Sequence, residues 1–518
     1  MTVINPKRLA PLQRLSAEEK RLDKFTPISF KKAGLLTCLF LWACSGLYAR
    51  QPQWLGQEPY KKAYDLCINL MLDESRVLLP SPTTPEAIYI SSLADILELL
   101  ITEDVTRFAA LEKLYEKRIE LLKKISPATN KSLFVLAELR LQWAFVYLKF
   151  GHDFTAAWNI RQAHILTQEC QRKFPEFLPI QKTSGVLEVM LGSVPEKYQW
   201  VLTMLGMKGS VETGLNQLRM VQQDEASLSF ETNLLYHLIE GFVLQQTDSA
   251  LVALENLHHQ NPENKLIMFL GASLAIKNSS SEMAMIILEK LKGQAGGLTI
   301  YYADYLLGEV YLHQGNYQKS IQAYRRFIQT YKGSNYIKDA YYKIGIAYWL
   351  LTMPDQAQVN FELAKKNGKE AAEADKYAVR SLAENDFTNI KLTKARYSID
   401  GGYYDEAIRL LKSIKKEELV SSRELTEYHY RFARLYHKLN QLTDAKKFYA
   451  QAIDLAGTES WYFAPNACLQ LGYIFRDEGN LEEAQKYFNK AMSYKKHAYK
   501  NSIDSKAKSA LAQLKKIK

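Results

Sequence analysis

The sequence predicts an all-α fold, a solenoid of helix pairs wound into a superhelix, and three observations carry that expectation. A small residue recurs at positions 308, 345, 395, 433 and 472, at spacings of 37, 50, 38 and 39. In the four clear copies an aromatic follows three residues later (Tyr311, Tyr348, Tyr436, Phe475), and a second small residue follows after twelve (Ser320, Ala357, Ala445, Ala484). No run of alternating apolar and polar residues long enough for a strand interrupts the pattern. A composition of 47% hydrophobic and 24% charged residues over 518 positions suits a folded body.

Residues 1–49 read as an N-terminal extension carrying an export segment. The run KKAGLLTCLFLWACSGLYARQ places Lys31 and Lys32 before an apolar stretch from Ala33 to Ala43, then small residues, the order of a secretory signal. The stretch is short for a membrane span of about 20 residues. Leu41-Trp42-Ala43-Cys44 reads as a lipobox, with Cys44 the residue lipidated. Cleavage after Ala49 and a segment that stays attached are the competing expectations. After Met1 the next Met is Met71, so a start nearer Lys31 would use a non-ATG codon, and a misassigned start is expected. The implied location is the cell envelope, as a periplasmic protein or an outer-membrane lipoprotein.

Residues 50–230 form an N-terminal helical region, with helix pairs from about Pro59 and a loop at Pro80, Pro82 and Pro85. The stretch from Leu139 to Leu166 repeats the small–aromatic–small pattern through Ala144, Tyr147, Gly151 and Ala156. Residues 231–495 hold the repeat array, with Gly271 in register after Asn261-Pro262. The 50-residue spacing between positions 345 and 395 calls for an added helix around residues 370–386. Residues 496–518 form a basic C-terminal helix or tail. Residues 1–32 and 492–518 each carry eight Lys/Arg, against three acids and one, so most of the net +11 sits at the two ends. The body between offers no basic excess for nucleic acid.

GSVETG, residues 209–214, has the spacing of a phosphate-binding loop but lacks its chemistry. Leu215 and Asn216 stand where Lys and a hydroxyl residue would serve phosphate and magnesium. The segment therefore reads as a turn between helices, with Gly206 and Gly209 ending one, Ser210 capping the next and Gly214 allowing close packing.

The repeats resemble the tetratricopeptide repeat, a helix–turn–helix of about 34 residues. The stretch from Gly185 to Leu218, through Gly192, Pro195, Trp200, Leu205, Gly206, Gly209, Gly214 and Leu215, resembles the tetratricopeptide 39/inclusion-body-clearance family, as does DGGYYDEAIRLL from Asp400. The resemblance implies a helical solenoid acting through protein contacts, without established catalysis. Relatives of that family are mostly eukaryotic and intracellular, some linked to lipid droplets or aggregate clearance, so the export segment departs from them.

No enzyme constellation is present: H-E-x-x-H, C-x-x-C and G-x-S-x-G are absent. His258-His259 reads as a helix-end pair, and His429 and His437 share a face without a third ligand. No catalytic residue, cofactor or metal is expected. Cys67, Cys170 and Cys468 read as buried free thiols. Counting inward positions from the small residues gives a groove lined by Tyr302, Tyr305, Tyr342, Trp349, Arg396, Tyr430, Arg434, Tyr473 and Arg476, residue types that dominate binding hot spots. The expected function is a non-enzymatic scaffold at a bacterial envelope that binds a protein or peptide and no nucleic acid, with membrane attachment through a lipid on Cys44. A carbohydrate- or lipid-binding solenoid is the alternative.

Overall fold

Thr84 starts the first long helix by accepting the Ala87 N–H at 3.3 Å, with Pro85 supplying a preset φ at the first position. The computed structural model describes residues 54–194, 202–203, 206–384, 387 and 389–517; the export segment and Cys44 lie outside these. Among the described residues no strand occurs. The N-terminal helices are α1 Tyr60–Ile68, α2 Leu72–Leu78, α3 Pro85–Thr102, α4 Val105–Lys123, α5 Asn130–Phe150, α6 Asp153–Lys173 and α7 Ile180–Gly192. There follow α8 Val211–Asp224, α9 Ser229–Leu238, α10 Thr247–Gln260, α11 Lys265–Lys277 and α12 Ser281–Gly293. The next group is α13 Tyr302–His313, α14 Tyr317–Thr330, α15 Ile337–Leu350, α16 Pro354–Lys366, α17 Glu373–Glu384, α18 Ile390–Gly401 and α19 Tyr404–Lys412. The array ends in α20 Ser422–Lys438, α21 Leu442–Ala456, α22 Phe463–Asp477, α23 Leu481–Ser493 and α24 Lys500–Ile517. The added helix expected in the 50-residue interval is α17.

Three repeats close by a glycine–ring interlock. A Cβ on Gly308 would lie 2.6 Å from the Tyr324 ring, and one on Gly472 would lie 2.5 Å from Phe488. Gly345 faces Phe361 in the same way. The ring filling the space thus comes from the second helix of the pair. Tyr311, Tyr348, Tyr436 and Phe475 are half-buried, whereas Tyr324, Phe361, Tyr449 and Phe488 are buried.

The solenoid does not run on as an open spring. The Leu298 N–H donates to the Leu70 carbonyl at 2.8 Å, and the Asn264 side chain donates to the Ile68 carbonyl at 3.1 Å. Asn335 donates to Glu103 at 2.9 Å. The N-terminal helices thereby lean on the turns before α11, α13 and α15. Further on, Tyr403 donates to Glu282 at 2.7 Å, tying α18–α19 to α12. A buried cluster fixes the N-terminal part: the Lys182 ammonium reaches Glu138 and Glu231 at 2.7 Å each and the Tyr89 hydroxyl at 2.8 Å. One lysine thus ties α3, α5, α7 and α9 together.

The basic C-terminus is a packed helix. Ile503, Ala507, Ala510 and Leu514 form a buried stripe on α24 that joins the core of α22 and α23.

Candidate binding cleft and inner helical face

The glycines of the GSVETG segment serve helix–helix approach. A Cβ on Gly209 would meet the Leu191 Cβ at 2.5 Å and the Glu188 carbonyl at 2.6 Å; one on Gly214 would meet Val189 Cγ2 at 2.8 Å. Gly185 and Gly192 on α7 face them with equal closeness. Gly206, at φ +69°, makes the turn. Gly209 does not adopt a positive φ, so its expected capping role is replaced by packing. Ser210 caps α8, its side chain accepting the Thr213 N–H at 3.3 Å, and its own N–H donates to Glu188 at 2.7 Å. Pro195, Trp200 and Leu205 lie outside the described residues.

The inner helices hold a ladder of polar side chains, and this revises the expected groove. Tyr305, Tyr342 and Tyr430 are buried. Tyr305 donates to Asp339 at 2.6 Å, Tyr342 pairs with Ser381 at 2.8 Å, and Tyr430 accepts from Asn466 at 2.8 Å. These three rings are interior packing, since neighbouring helices close over the positions that a count within one repeat leaves open. Tyr302 is half-buried, stacked on Tyr305 at 4.9 Å. Trp349 is half-buried with its ring edge-on to Phe387 at 5.5 Å. Arg396 donates to Tyr377 at 2.8 Å, and Arg434 pairs with Asp400 at 2.7 Å. Burial opposes the Asp400 charge, but Arg434 and Arg396 outweigh it and hold this carboxyl below the usual carboxylate range. Tyr473 meets Phe488 at 5.3 Å, with the Arg476 guanidinium 5.1 Å above the Tyr473 ring.

The C-terminal segment crosses part of this face. Tyr499 stacks on Tyr377 at 5.9 Å and meets Tyr462 edge-on at 5.4 Å. Gln513 of α24 accepts from Arg476 at 3.5 Å. Tyr377, Tyr462, Tyr499 and Asp400 are absent from the sequence-derived groove; the stripe 503/507/510/514 is the signal that points to a docked terminal helix.

Where α24 passes the Gly-rich turn, a cleft of about 1000 Å³ remains. One wall is Ser210, Glu212 and Arg219 of the family-like segment; the opposite wall is Ser505, Lys506 and Lys508. Leu215, Val243, Leu244 and Leu511 make its apolar parts. A separate surface stripe runs along α6, where Phe154 is 95% exposed and Trp158 55%, with Ile165 two turns further.

Residues 179–394, which include this turn, match the family model described as Iml2/Tetratricopeptide repeat protein 39. Residues 426–459 and 465–497 match the model described as Tetratricopeptide repeat. The chain is a tetratricopeptide-repeat protein whose residues 179–394 are similar to the Iml2/tetratricopeptide repeat protein 39 family. The similar solved structures are distant ones. The apo form of the quorum sensor NprR from B. thuringiensis is 16% identical, covering 71% of this chain and 98% of its own, at a TM-score of 0.35. A human IFIT1 dimer with PPP-AAAA is 15% identical over 85% and 96%, at a TM-score of 0.30. The APC/C hetero-tetramer Cut9-Hcn1 is 12% identical over 87% and 88%, at a TM-score of 0.28.

The remaining candidates are accounted for by packing in this helical fold. His258 and His259 lie in the last turn of α10. His429 faces Gln451 at 3.0 Å and His437 faces Tyr449 at 3.3 Å, so each points to α21 rather than to a shared ligand. Among the described residues no group of His, Cys, Asp and Glu has metal-binding geometry. Cys67, Cys170 and Cys468 are buried and unpaired with one another.

Proposed function

We propose that the protein is a non-enzymatic protein-binding scaffold that receives its partner in the cleft between the Gly-rich turn and α24. The observation that supports this is the cleft itself: in a fold whose inner rings are largely used in packing, about 1000 Å³ stays open, lined by mixed polar and apolar groups. Half-buried Arg476, which donates to Gln513 of the cleft lining, extends the surface available to a bound segment. Capture from envelope extracts, with and without a cleft-filling Ser509→Trp substitution, tests it. A partner captured equally by both proteins contradicts it.

The proposed location is the bacterial cell envelope, supported by the signal-like order of Lys31 to Arg50 and by Cys44 in a lipobox frame. Fractionation of cells tests this; a cytosolic protein with residues 1–40 intact contradicts it. Cys44→Ser releases the protein from the membrane if Cys44 is lipidated and leaves it unchanged if cleavage follows Ala49. The second function, a lipid- or carbohydrate-binding solenoid, draws support from the exposed Phe154–Trp158 stripe. Liposome co-sedimentation lost in Phe154→Ser would favour it.

A further inference from the structure

Lys506 and Arg219 bring positive charge to the cleft. Lys506 lines the cleft, and burial lowers its ammonium pKa, with no carboxylate among the described residues offsetting it. Asp504, two residues earlier, is engaged by Lys500 at 2.6 Å. Glu240 on the other side is held by His237 at 2.7 Å. Arg219 donates to Asn216 at 3.1 Å and to Tyr236 at 2.6 Å, both neutral side chains. Behind the Val243–Leu244 rim, Lys277 sits over the Phe242 ring at 4.9 Å. Burial first, and then the Lys506 charge, bring Lys277 down to about 8. Two partly desolvated ammonium groups that repel each other are a cost in the free protein. A carboxylate brought to them from outside removes that cost, and the apolar residues alongside give the rest of a peptide something to cover.

We propose that the cleft selects acidic segments of a partner protein, a carboxylate seating on Lys506 with Lys277 behind it and Arg219 along the wall. This rests on the scaffold function proposed above and adds its specificity. The volume suits a short peptide rather than a single ion. Salt sensitivity follows, because charge pairs at a half-open cleft are screened.

Fluorescence anisotropy of labelled hexaglutamate against the full-length protein tests the proposal, with hexaglutamine as the uncharged control. Hexaglutamate binds and hexaglutamine does not. Lys506→Gln weakens binding about tenfold, and Lys277→Gln weakens it in the same direction. Ser509→Trp, which fills the wall without changing charge, also weakens it. Lys486→Gln, on an exposed pair with Glu483, leaves it unchanged. Melting temperatures confirm that each variant is folded, and the Lys506 variant melts no lower than the parent. Equal weakening by Lys486→Gln would mark general attraction to a basic protein and overturn the proposal. Saturable displacement by inorganic phosphate would make this a small-anion site and overturn it too. A natural partner captured undiminished by Lys506→Gln sinks the acidic specificity while leaving the scaffold function standing.

Discussion

Gly345 and Phe361 interlock: the Phe361 ring occupies the space that a side chain on Gly345 would need. The same relation joins Gly308 to Tyr324 and Gly472 to Phe488, so the repeat is a glycine on one helix receiving a ring from the next. Gly345→Ala is expected to cost about 1–3 kcal/mol through overpacking. Gly271→Ala, where the added Cβ meets nothing within 4 Å, is expected to be neutral or slightly stabilising. Chemical denaturation of the two variants checks the contrast.

The Lys182 ammonium is 2% exposed and bridges Glu138 and Glu231. Lys182→Met leaves two carboxylates without their counter-charge and is expected to destabilise by about 3–5 kcal/mol. Lys365→Met, breaking an exposed pair with Glu362, is expected to leave the denaturation midpoint unchanged.

Stability should fall in mild acid. Burial lowers the pKa of His437 from 6.5 to about 4, and burial also lowers His313 and His429. The fold keeps these rings neutral, so as pH falls below 6.5 the unfolded chain binds protons first and gains on the folded one. For His437 alone the loss reaches about 3 kcal/mol near pH 4. Asp375, raised to about 6 chiefly by burial, works in the opposite sense. His437→Gln therefore isolates the effect: its midpoint should decline less than the parent's between about pH 7 and pH 4.5.

The C-terminal helix belongs to the core. Ala507, fully buried, admits no larger side chain, and Ala507→Arg is expected to cost about 1–3 kcal/mol and to expose residues 494–499 to protease. Lys508→Arg should do neither. A melting curve unchanged by Ala507→Arg would show a tail rather than a packed helix.

The repeats, the added helix α17 and the turn at Gly206 were legible because each depends on residues close in sequence: a glycine, a ring sixteen residues on, and the spacing between copies. The occlusion of Tyr305, Tyr342 and Tyr430 was not legible. Asp339 and Asn466 cover the first and last of these, and Ser381 the second, from neighbouring repeats or from α17, which a count within one repeat does not reach. The return contacts Leu70–Leu298 and Glu103–Asn335 span more than two hundred residues and carry no local signature. The α24 stripe was present in the sequence as 503, 507, 510 and 514, but the surrounding lysines drew attention to charge.

The central claim is that a protein partner enters the cleft between the Gly-rich turn and α24. A photo-crosslinking amino acid placed at Asn216, on the cleft wall, tests it most directly against the same probe at Val359, 60% exposed and outside the cleft. The expected result is one discrete protein adduct from position 216, competed by hexaglutamate and absent from position 359. Adducts from position 359 with none from position 216 would contradict the claim.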